Sequence, residues 1–368
     1  MTGAGLYVHL PFCLTRCGYC DFNAYEGLGH LADRYAAALR READLVAPAW
    51  RRIRIDTVFF GGGTPTTLEP RTLALVLKHL EDRFDVTADA EVTVEANPNT
   101  VDEESLSALL RAGFNRLSMG VQSFDPDVLR ALERVHGPGS ARRAFAAARA
   151  AGFDNVNLDL IFGAHGESLG SWAHSLSEAV ALRPEHLSCY ALTVEPATPL
   201  GRRVASGTVP PPDPDLQADS FELACGVLRE AGFDHYEISN WARPGFECRH
   251  NLGYWARRPY AGLGAGAHGH RDGRRWWNLR PPMSYLRAVE GGSVPVAGEE
   301  SVEGSEARLE RVFLAVRTAR GISMEAVDPA APVTEYVEEG LVAVGDGRLT
   351  LTERGMFLAS EIALALAG

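Results

Sequence analysis

Long apolar runs and an excess of basic residues are both missing from this sequence of 368 residues. No apolar run approaches the ~18 residues that a membrane-spanning helix needs, and the opening stretch MTGAGLYVHLPFC has no basic segment followed by an apolar one. Lys and Arg number 36 against 48 Asp and Glu, a formal net charge of -12, which disfavours broad nucleic-acid binding. We expect a cytoplasmic protein with at most peripheral membrane contact and no nucleic-acid partner.

Cysteine is also scarce, and its distribution is uneven. Cys13, Cys17 and Cys20 lie close together without a fourth cysteine nearby, and the other three of the six are scattered singly. Structural zinc usually takes four ligands in two separated pairs, and disulfide frameworks are typical of small secreted chains. Three thiolates on a four-iron cluster would leave one iron free to bind a small molecule. This spacing favours such a [4Fe–4S] site, with zinc and disulfides as the alternatives.

Short β-branched and aromatic runs alternate with stretches of helical period over the first two hundred residues or so. This alternation is typical of repeated βα units around a parallel sheet, and it predicts six units in a barrel-like α/β architecture. The predicted strands lie near residues 6–9, 57–60, 91–95, 116–120, 155–161 and 186–192. The predicted helices lie near residues 31–45, 72–83, 103–112, 126–134, 140–151, 168–182 and 217–231.

The strongest break in the middle of the chain is SGTVPPPDPD, residues 206–215, because its prolines exclude a helix there. We therefore divide the chain into a core at 1–205, a less regular extension at 206–298 and a C-terminal domain at 299–368. The tail predicts helix, short helix, two strands joined around Asp346 and a last helix, the order of a winged-helix-like domain. From residue 298 onward, 13 acidic residues stand against 6 basic ones, which favours packing or protein contact over DNA binding.

Polar residues and glycines stand where several predicted strands end. FFGGGTPT follows the second strand, and its glycines let the backbone approach a ligand closely. Glu95, Gln122 and Asp159 lie in or at the end of the third, fourth and fifth strands. The carboxyl ends of parallel barrel strands collect ligand chemistry, so these residues are candidate site residues, with loop capping as the alternative for each.

The chain as a whole resembles the oxygen-independent coproporphyrinogen III oxidase group of radical SAM proteins, and the matching stretches are YVHLPFC, FFGGGTPT, VEANP, RLSMGVQSFD, NLDLIFG and the C-terminal domain. The resemblance implies an incomplete (β/α)6 barrel with a small winged-helix-like domain, and a [4Fe–4S] cluster whose open iron is chelated by S-adenosylmethionine (SAM). It also implies a set of residues that contact SAM or its surroundings: Tyr7, Tyr19, Gly62, Gly63, Thr64, Glu95, Gln122, Arg134 and Asp159.

Two features place the chain nearer to the heme-chaperone branch of this group than to the oxidases. Phe22 stands where the oxidases have a further cysteine, and only six residues precede Tyr7, where they have a longer extension. In addition, CRHNLGYW matches a His-Asn-x-x-Tyr-Trp motif that is associated with heme binding in that branch. The resemblance therefore implies that His250 contacts heme, while His268 and His270 are available as a further axial ligand. Without the family, a lone histidine is more often structural.

Residues 249–287 give a compositional argument of their own. They include eight arginines against one acid, Asp272, interleaved with the aromatic residues Tyr254, Trp255, Tyr260, Trp276, Trp277 and Tyr285. A flat macrocycle with anionic propionates needs aromatic surfaces and arginine side chains of this kind. A solvated basic face and a nucleic-acid patch are the alternatives.

The resulting hypothesis is a heme chaperone that carries a [4Fe–4S] cluster and SAM and transfers heme to respiratory membrane proteins. Whether SAM is cleaved is left open. The first alternative is radical decarboxylation of coproporphyrinogen III, and RNA modification is a weaker one. The sequence departs from the pattern of its relatives at GAHGES, residues 163–168. Relatives usually have a Gly-Leu-Pro turn there, so His165 is unexpected.

Overall fold

The alternating units of the first half form a parallel sheet, as the sequence predicts. In the computed structural model, which describes residues 3–368, strands β1 to β6 pair side by side in chain order. These strands are β1 (Ala4–Leu10), β2 (Arg54–Gly62), β3 (Asp85–Ala96), β4 (Arg116–Gln122), β5 (Val156–Phe162) and β6 (His186–Ala191). The helices that connect them are α1 (Ala32–Val46), α2 (Pro70–Arg83), α3 (Glu103–Arg111), α4 (Pro126–Ala131), α5 (Pro138–Ala151) and α6 (Leu169–Ala181).

The two faces of the sheet have different side chains because successive residues of a strand point to opposite sides. On β1, the buried Leu6, Val8 and Leu10 belong to the main hydrophobic core together with Leu39 of α1. Tyr7 and the other residues that alternate with these three along β1 face the inner side of the sheet. The core thus lies between the sheet and its helices, and the inner face is left for polar side chains.

The extension continues the same sheet at both edges. Within the described residues the sheet has twelve strands and stays open, in the order β12-β11-β10-β9-β1-β2-β3-β4-β5-β6-β8-β7, with antiparallel pairs toward both ends. The added strands are β7 (Asp234–Glu237), β8 (Asn240–Ala242), β9 (Tyr260–Leu263), β10 (His268–Arg271), β11 (Arg274–Asn278) and β12 (Val296–Ser301). The added helices are α7 (Pro199–Ala205), α8 (Pro214–Glu230), α9 (Arg249–Trp255) and α10 (Pro282–Glu290).

The proline-rich break ends where helix α8 begins. Asp213 is the N-cap of this helix, and its side chain accepts hydrogen bonds from the N–H groups of Asp215 and Leu216. Pro214 occupies the first turn, where a missing N–H costs nothing. The helix therefore begins three residues before the predicted start at 217.

The C-terminal residues form a small separate unit that contains the predicted helix, short helix, strand pair and last helix, together with a short strand at Ile322–Ser323 and a short helix at Glu353–Met356 that were not predicted. Its antiparallel sheet has the order β13-β15-β14, and Val316, Leu349 and Leu366 lie in a hydrophobic core of its own. The unit meets the main sheet at edge strand β7, where the Ala319 N–H donates to the Tyr236 carbonyl at 2.9 Å. Its elements are α11 (Gly304–Val316), β13 (Ile322–Ser323), α12 (Val333–Glu338), β14 (Val342–Gly345), β15 (Arg348–Leu351), α13 (Glu353–Met356) and α14 (Ala359–Ala367).

The structure also bears on two questions raised by the sequence, namely membrane-spanning helices and disulfides. Across residues 3–368, every helix is too short or too polar to cross a bilayer. All six cysteines are free thiols, so the structure contains no disulfide among the residues that it describes. Short 3₁₀ helices complete the fold at Gly29–Leu31, Ala47–Trp50, Pro65–Thr67 and Met324–Ala326.

Candidate functional site

The three clustered cysteines lie on a loop that follows β1 and folds back on itself. The Cys13 N–H donates to the Tyr25 carbonyl at 3.0 Å, and the Cys20 N–H donates to the Cys17 carbonyl at 3.1 Å. All three thiols are partly buried, and burial raises the pKa of Cys13 and Cys20. The loop thus presents three thiols at the carboxyl end of the sheet.

Two side chains from other loops of the chain reach these sulfur atoms. Arg134 Nη1 lies 3.3 Å from Cys17 Sγ, and Arg134 Nη2 donates to the Gly120 carbonyl at 2.8 Å. Thr64 Oγ1, just after β2, lies 3.7 Å from Cys13 Sγ. A guanidinium can donate a hydrogen bond to a cysteine sulfur, and the thiolate is the form of the sulfur that binds metal.

Close contacts with His9 and Phe12 require glycine at positions 62 and 63, at the end of β2 and just after it. Gly62 has φ 108°, and a Cβ there would lie 2.3 Å from a carbon of the His9 ring. A Cβ at Gly63 would lie 2.6 Å from the Phe12 carbonyl oxygen. Only glycine fits these positions without a shift of the backbone. The Gly62 N–H donates to Glu95 Oε2 at 3.1 Å, which ties the glycine turn to the end of β3.

Two carboxyl groups face the same cavity from β3 and β5. Burial, with the charge of Asp159 as the next cause, raises the pKa of Glu95 to about 8. Burial also raises the pKa of Asp159, although Asp159 accepts hydrogen bonds from Ser118 Oγ at 3.1 Å and Asn157 Nδ2 at 2.9 Å. A pair of buried carboxyl groups favours a positively charged ligand, because a cation relieves their mutual repulsion.

Gln122 has an unusual backbone conformation at the end of β4. Its φ is 69°, and the pairing of β4 with β5 shifts register between Gly120 and Gln122. Such an irregularity re-aims a side chain, at a cost that is typically about 1–3 kcal/mol. The side chain of Gln122 consequently lines the cavity beside the cysteines.

A cavity of about 370 Å³ unites these groups at the carboxyl ends of β1 to β6. Tyr19, which lies between the last two cysteines, also lines it. So do residues that the sequence interpretation missed, namely Asn97, Ser118, Tyr190, Thr193 and Glu195. The signal for Ser118 was the two-residue period of a strand, which places it on the same face as Gly120. The predicted residues in its lining are Cys13, Cys17, Tyr19, Cys20, Gly62, Gly63, Thr64, Glu95, Gln122, Arg134 and Asp159.

Tyr7 is not part of this lining. Its ring packs on Phe59 with 6.2 Å between ring centres, and its hydroxyl lies 3.1 Å from His9 Nδ1. Tyr7 thus lies on the inner face of the sheet beneath the cavity, where it supports the base of the cysteine loop through His9.

His250 is also remote from the cavity lining. It lies on α9, is 3% exposed, and stacks on Phe59 with 5.2 Å between ring centres. Both ring nitrogens have partners, since Nδ1 lies 2.9 Å from Thr57 Oγ1 and Nε2 lies 2.8 Å from Tyr254 Oη. Burial lowers the pKa of His250 to about 3, so the ring is neutral at physiological pH. The structure places this histidine inside the amino end of the sheet.

Four of the eight arginines of residues 249–287 are paired with acids from elsewhere in the chain. Arg258 forms an ion pair with Asp56, and Arg274 forms one with Glu299. Arg275 contacts Glu310 at 2.7 Å. These ion pairs therefore compensate about half of the local excess of positive charge in the folded protein. Several of the aromatic residues are also structural, as shown by Tyr285, which is fully buried.

The carboxyl group of Glu167 holds the loop of residues 163–168, where the sequence departs from its relatives. Glu167 Oε2 accepts hydrogen bonds from the Gly163 N–H at 2.7 Å and the Ala164 N–H at 3.2 Å. Burial raises the pKa of Glu167 to about 7. His165 is exposed and does not line the cysteine cavity. The departure thus leaves the predicted cofactor residues of the cavity in place.

The residues present fit the cluster and SAM that the resemblance implies. Among the described residues, no group of three or more His, Cys, Asp or Glu side chains is placed to hold a single metal ion. A four-iron cluster instead binds each thiolate at a separate iron. The cavity offers three thiols along its wall, glycine backbone that lets a ligand approach, and two carboxyl groups suited to a cationic ligand.

Comparison with known proteins agrees with this geometry. Residues 7–179 match the Radical SAM superfamily. The chain is 44% identical over 369 residues to the heme chaperone HemW of Mycobacterium tuberculosis (strain H37Rv), which covers 99% of this chain and 95% of that protein. It is 35% identical over 373 residues to the heme chaperone HemW of Bacillus subtilis, with 98% of each covered. The solved structure of Escherichia coli coproporphyrinogen III oxidase (HemN), a radical SAM enzyme, shares the fold with a TM-score of 0.85 at 24% identity, over 100% of this chain and 90% of that one.

Proposed function

Because the chain belongs to the HemW family of radical SAM proteins, we propose that it is a heme chaperone of the cytoplasm that binds heme and transfers it to respiratory membrane proteins. The observation that supports this most is the similarity to two heme chaperones over almost the whole chain. A local observation agrees with it. Phe22, 64% exposed, lines the cavity at the position where the oxidases carry a further cysteine.

We propose that the cavity holds the [4Fe–4S] cluster on Cys13, Cys17 and Cys20, with SAM beside it. The cluster would supply an iron without a protein ligand, at which the amine and carboxylate of SAM can bind. Arg134 Nη1 lies 3.3 Å from Cys17 Sγ and would hold this sulfur in place beside the cluster. The chain's other contributions are the backbone at Gly62 and Gly63 and the carboxyl groups of Glu95 and Asp159, which attract the positive charges of SAM.

We propose His250 as the heme contact, because its motif is the one associated with heme in this family. Coordination through Nε2 requires the hydroxyl of Tyr254 to leave that nitrogen, because the two lie 2.8 Å apart. The Nδ1 contact to Thr57 Oγ1 can stay, and it would then fix the orientation of the ring. Heme binding thus involves a rearrangement of α9 rather than a ready-made ligand.

The proposed function is tested by offering reconstituted protein either heme, or coproporphyrinogen III with SAM and a reductant. We expect stoichiometric heme binding, release of heme to respiratory membranes, and no decarboxylation. Formation of protoporphyrinogen would contradict the proposal and favour the oxidase alternative. Absence of heme binding by cluster-loaded protein would also contradict it.

The role of His250 is tested by Tyr254→Phe, which frees Nε2 while keeping the ring that packs against the histidine at 4.8 Å. We expect heme affinity equal to or above that of the parent, and a Soret band that shifts only when His250 is also replaced by Ala. Thermal unfolding controls for loss of fold. An unchanged Soret band in the folded double variant would exclude His250 as the iron ligand.

A further inference from the structure

A cleft lies on the other side of α9 from the inner face of the sheet. Positions 250 and 255 are about 140° apart around a helix of 3.6 residues per turn, so Trp255 is directed away from His250. The cleft, of about 620 Å³, is lined by the end of α9 on one side and by α11 and the segment after it on the other. This volume is within the range of about 300–1,000 Å³ that is usual for small-molecule sites.

The cleft concentrates positive charge in a strongly acidic part of the protein. Arg257, Arg308 and Arg311 line it, with Glu325 as the acidic residue of the lining. Arg257 is also paired with Glu310 at 2.7 Å, and Arg308 with Asp328 at 3.1 Å. Each of these guanidiniums has five N–H donors, so one carboxylate does not saturate it. Arg311 is exposed and has no carboxylate within ion-pair distance among residues 3–368.

The remaining wall of the cleft is apolar. Val312, Ala315, Ile322 and Val327 line it together with the ring of Trp255. The guanidinium of Arg317 lies 4.5 Å from the centre of the Trp255 ring and holds that ring in place. The combination of a flat aromatic side chain, aliphatic wall and arginine rim suits a planar apolar ligand that carries carboxylates.

The cleft offers none of the usual axial ligands of heme iron. Among the described residues that line it there is no histidine, cysteine or methionine. Whatever binds there is recognised by its shape and its anionic groups and not by a metal at its centre. This separates the cleft from the site at His250 in a way that an experiment can detect.

We propose that this cleft binds the propionate edge of a tetrapyrrole, and that the C-terminal domain contributes to heme recognition through Arg308 and Arg311. The proposal rests on the proposed function, since it assigns part of the heme-binding surface. Because the cleft lies on the other side of α9 from His250, it is a second tetrapyrrole position, distinct from the iron contact proposed at His250.

The first test compares ligands that differ only in iron or in carboxylate charge. The full-length protein is titrated with heme, with metal-free protoporphyrin IX and with its dimethyl ester, and binding is followed by quenching of tryptophan fluorescence. We expect protoporphyrin to bind and the ester to bind at least about tenfold more weakly, because an arginine–carboxylate contact is worth about a factor of ten. Equal binding of acid and ester would overturn the proposal.

The second test uses variants of the arginines. Arg311→Gln breaks no ion pair, and we expect it to weaken protoporphyrin binding about tenfold, whereas Arg308→Gln also loses Asp328. Glu325→Gln removes the opposing carboxylate and is expected to strengthen binding severalfold. Arg320→Gln is the matched control, because Arg320 is an exposed arginine of the same domain outside the cleft. Normal porphyrin affinity in folded Arg311→Gln and Arg308→Gln would overturn the proposal.

The failure of this proposal can be told apart from failure of the proposed function. Heme binding without binding of metal-free protoporphyrin would overturn the cleft and leave the chaperone function standing. Protoporphyrin binding that depends on Arg311 but is accompanied by decarboxylation of coproporphyrinogen would support the cleft and contradict the chaperone function.

Discussion

Both ends of the main sheet carry side chains that the family resemblance predicts as ligand contacts. Those at the carboxyl end line a cavity, whereas His250 at the amino end is buried. At the carboxyl end, Glu95, Gln122 and Asp159 line a cavity of about 370 Å³. At the amino end, the His250 ring is enclosed by Thr57 and Tyr254, and the backbone N–H of His250 donates to Glu91 Oε1 at 3.0 Å. The difference is one of access: a ligand can enter the cavity at the carboxyl end directly, whereas it could reach the His250 ring only after the amino end opens.

The largest expected effect is at the carboxyl end. Cys17→Ala should reduce the iron content after anaerobic reconstitution from about four atoms per chain to nearly none, since the remaining two thiols cannot hold a four-iron cluster stably. Iron and sulfide assays measure it, and Cys225→Ala, in the main core, is the control that should retain the cluster. A full cluster in Cys17→Ala would refute the assignment of the cysteine loop.

At the amino end the main expected effect is on stability. His250→Ala should lower the free energy of unfolding by about 4 kcal/mol, because it leaves a cavity and removes the partners of buried polar groups. Urea denaturation of the cluster-free protein measures the loss. The matched variant Gln122→Ala, at the open end, should cost less than about 1 kcal/mol, and equal losses for the two variants would remove the contrast between the ends.

The loop after β5 gives a test by pH. Burial, as the largest cause, raises the pKa of Glu167 from 4.5 in the unfolded chain to about 7 in the folded one. The protonated Glu167 side chain therefore contributes fully to the free energy of unfolding below pH 4.5. This contribution, up to about 3 kcal/mol, is lost as the pH rises through 7. Glu167→Gln should flatten this part of the stability profile, as measured by denaturation between pH 5 and 8, and parallel profiles would show that the carboxyl group titrates normally.

The smallest expected effect concerns strain at the open end. Gln122→Gly removes a side chain from a positive φ, so we expect the variant to be more stable than the parent by up to about 1 kcal/mol. SAM binding, measured by equilibrium dialysis, should weaken at the same time. A variant that is less stable but binds SAM normally would mean that the glutamine serves packing and not the ligand.

Much of this contrast could be predicted from sequence because parallel strands bring their carboxyl ends together. The positions of Glu95 at the end of the third strand and of Asp159 within the fifth are sufficient to predict a shared site. The enclosure of His250 was not predictable, because its partners Thr57 and Glu91 lie far away in the chain and meet it only through the curvature of the sheet. The same reason explains the arginines of residues 249–287, since Asp56 pairs with Arg258 only in three dimensions.

The contact between Tyr236 on β7 and Ala319 has a further consequence for the integrity of the protein. An uncovered edge strand exposes unpaired N–H and C=O groups, which can pair with the edge of another molecule and begin aggregation. The Ala319 N–H and the bridge between Glu237 and Thr318 occupy part of that edge. The C-terminal domain therefore covers part of this edge, and we expect a chain that lacks the domain to aggregate.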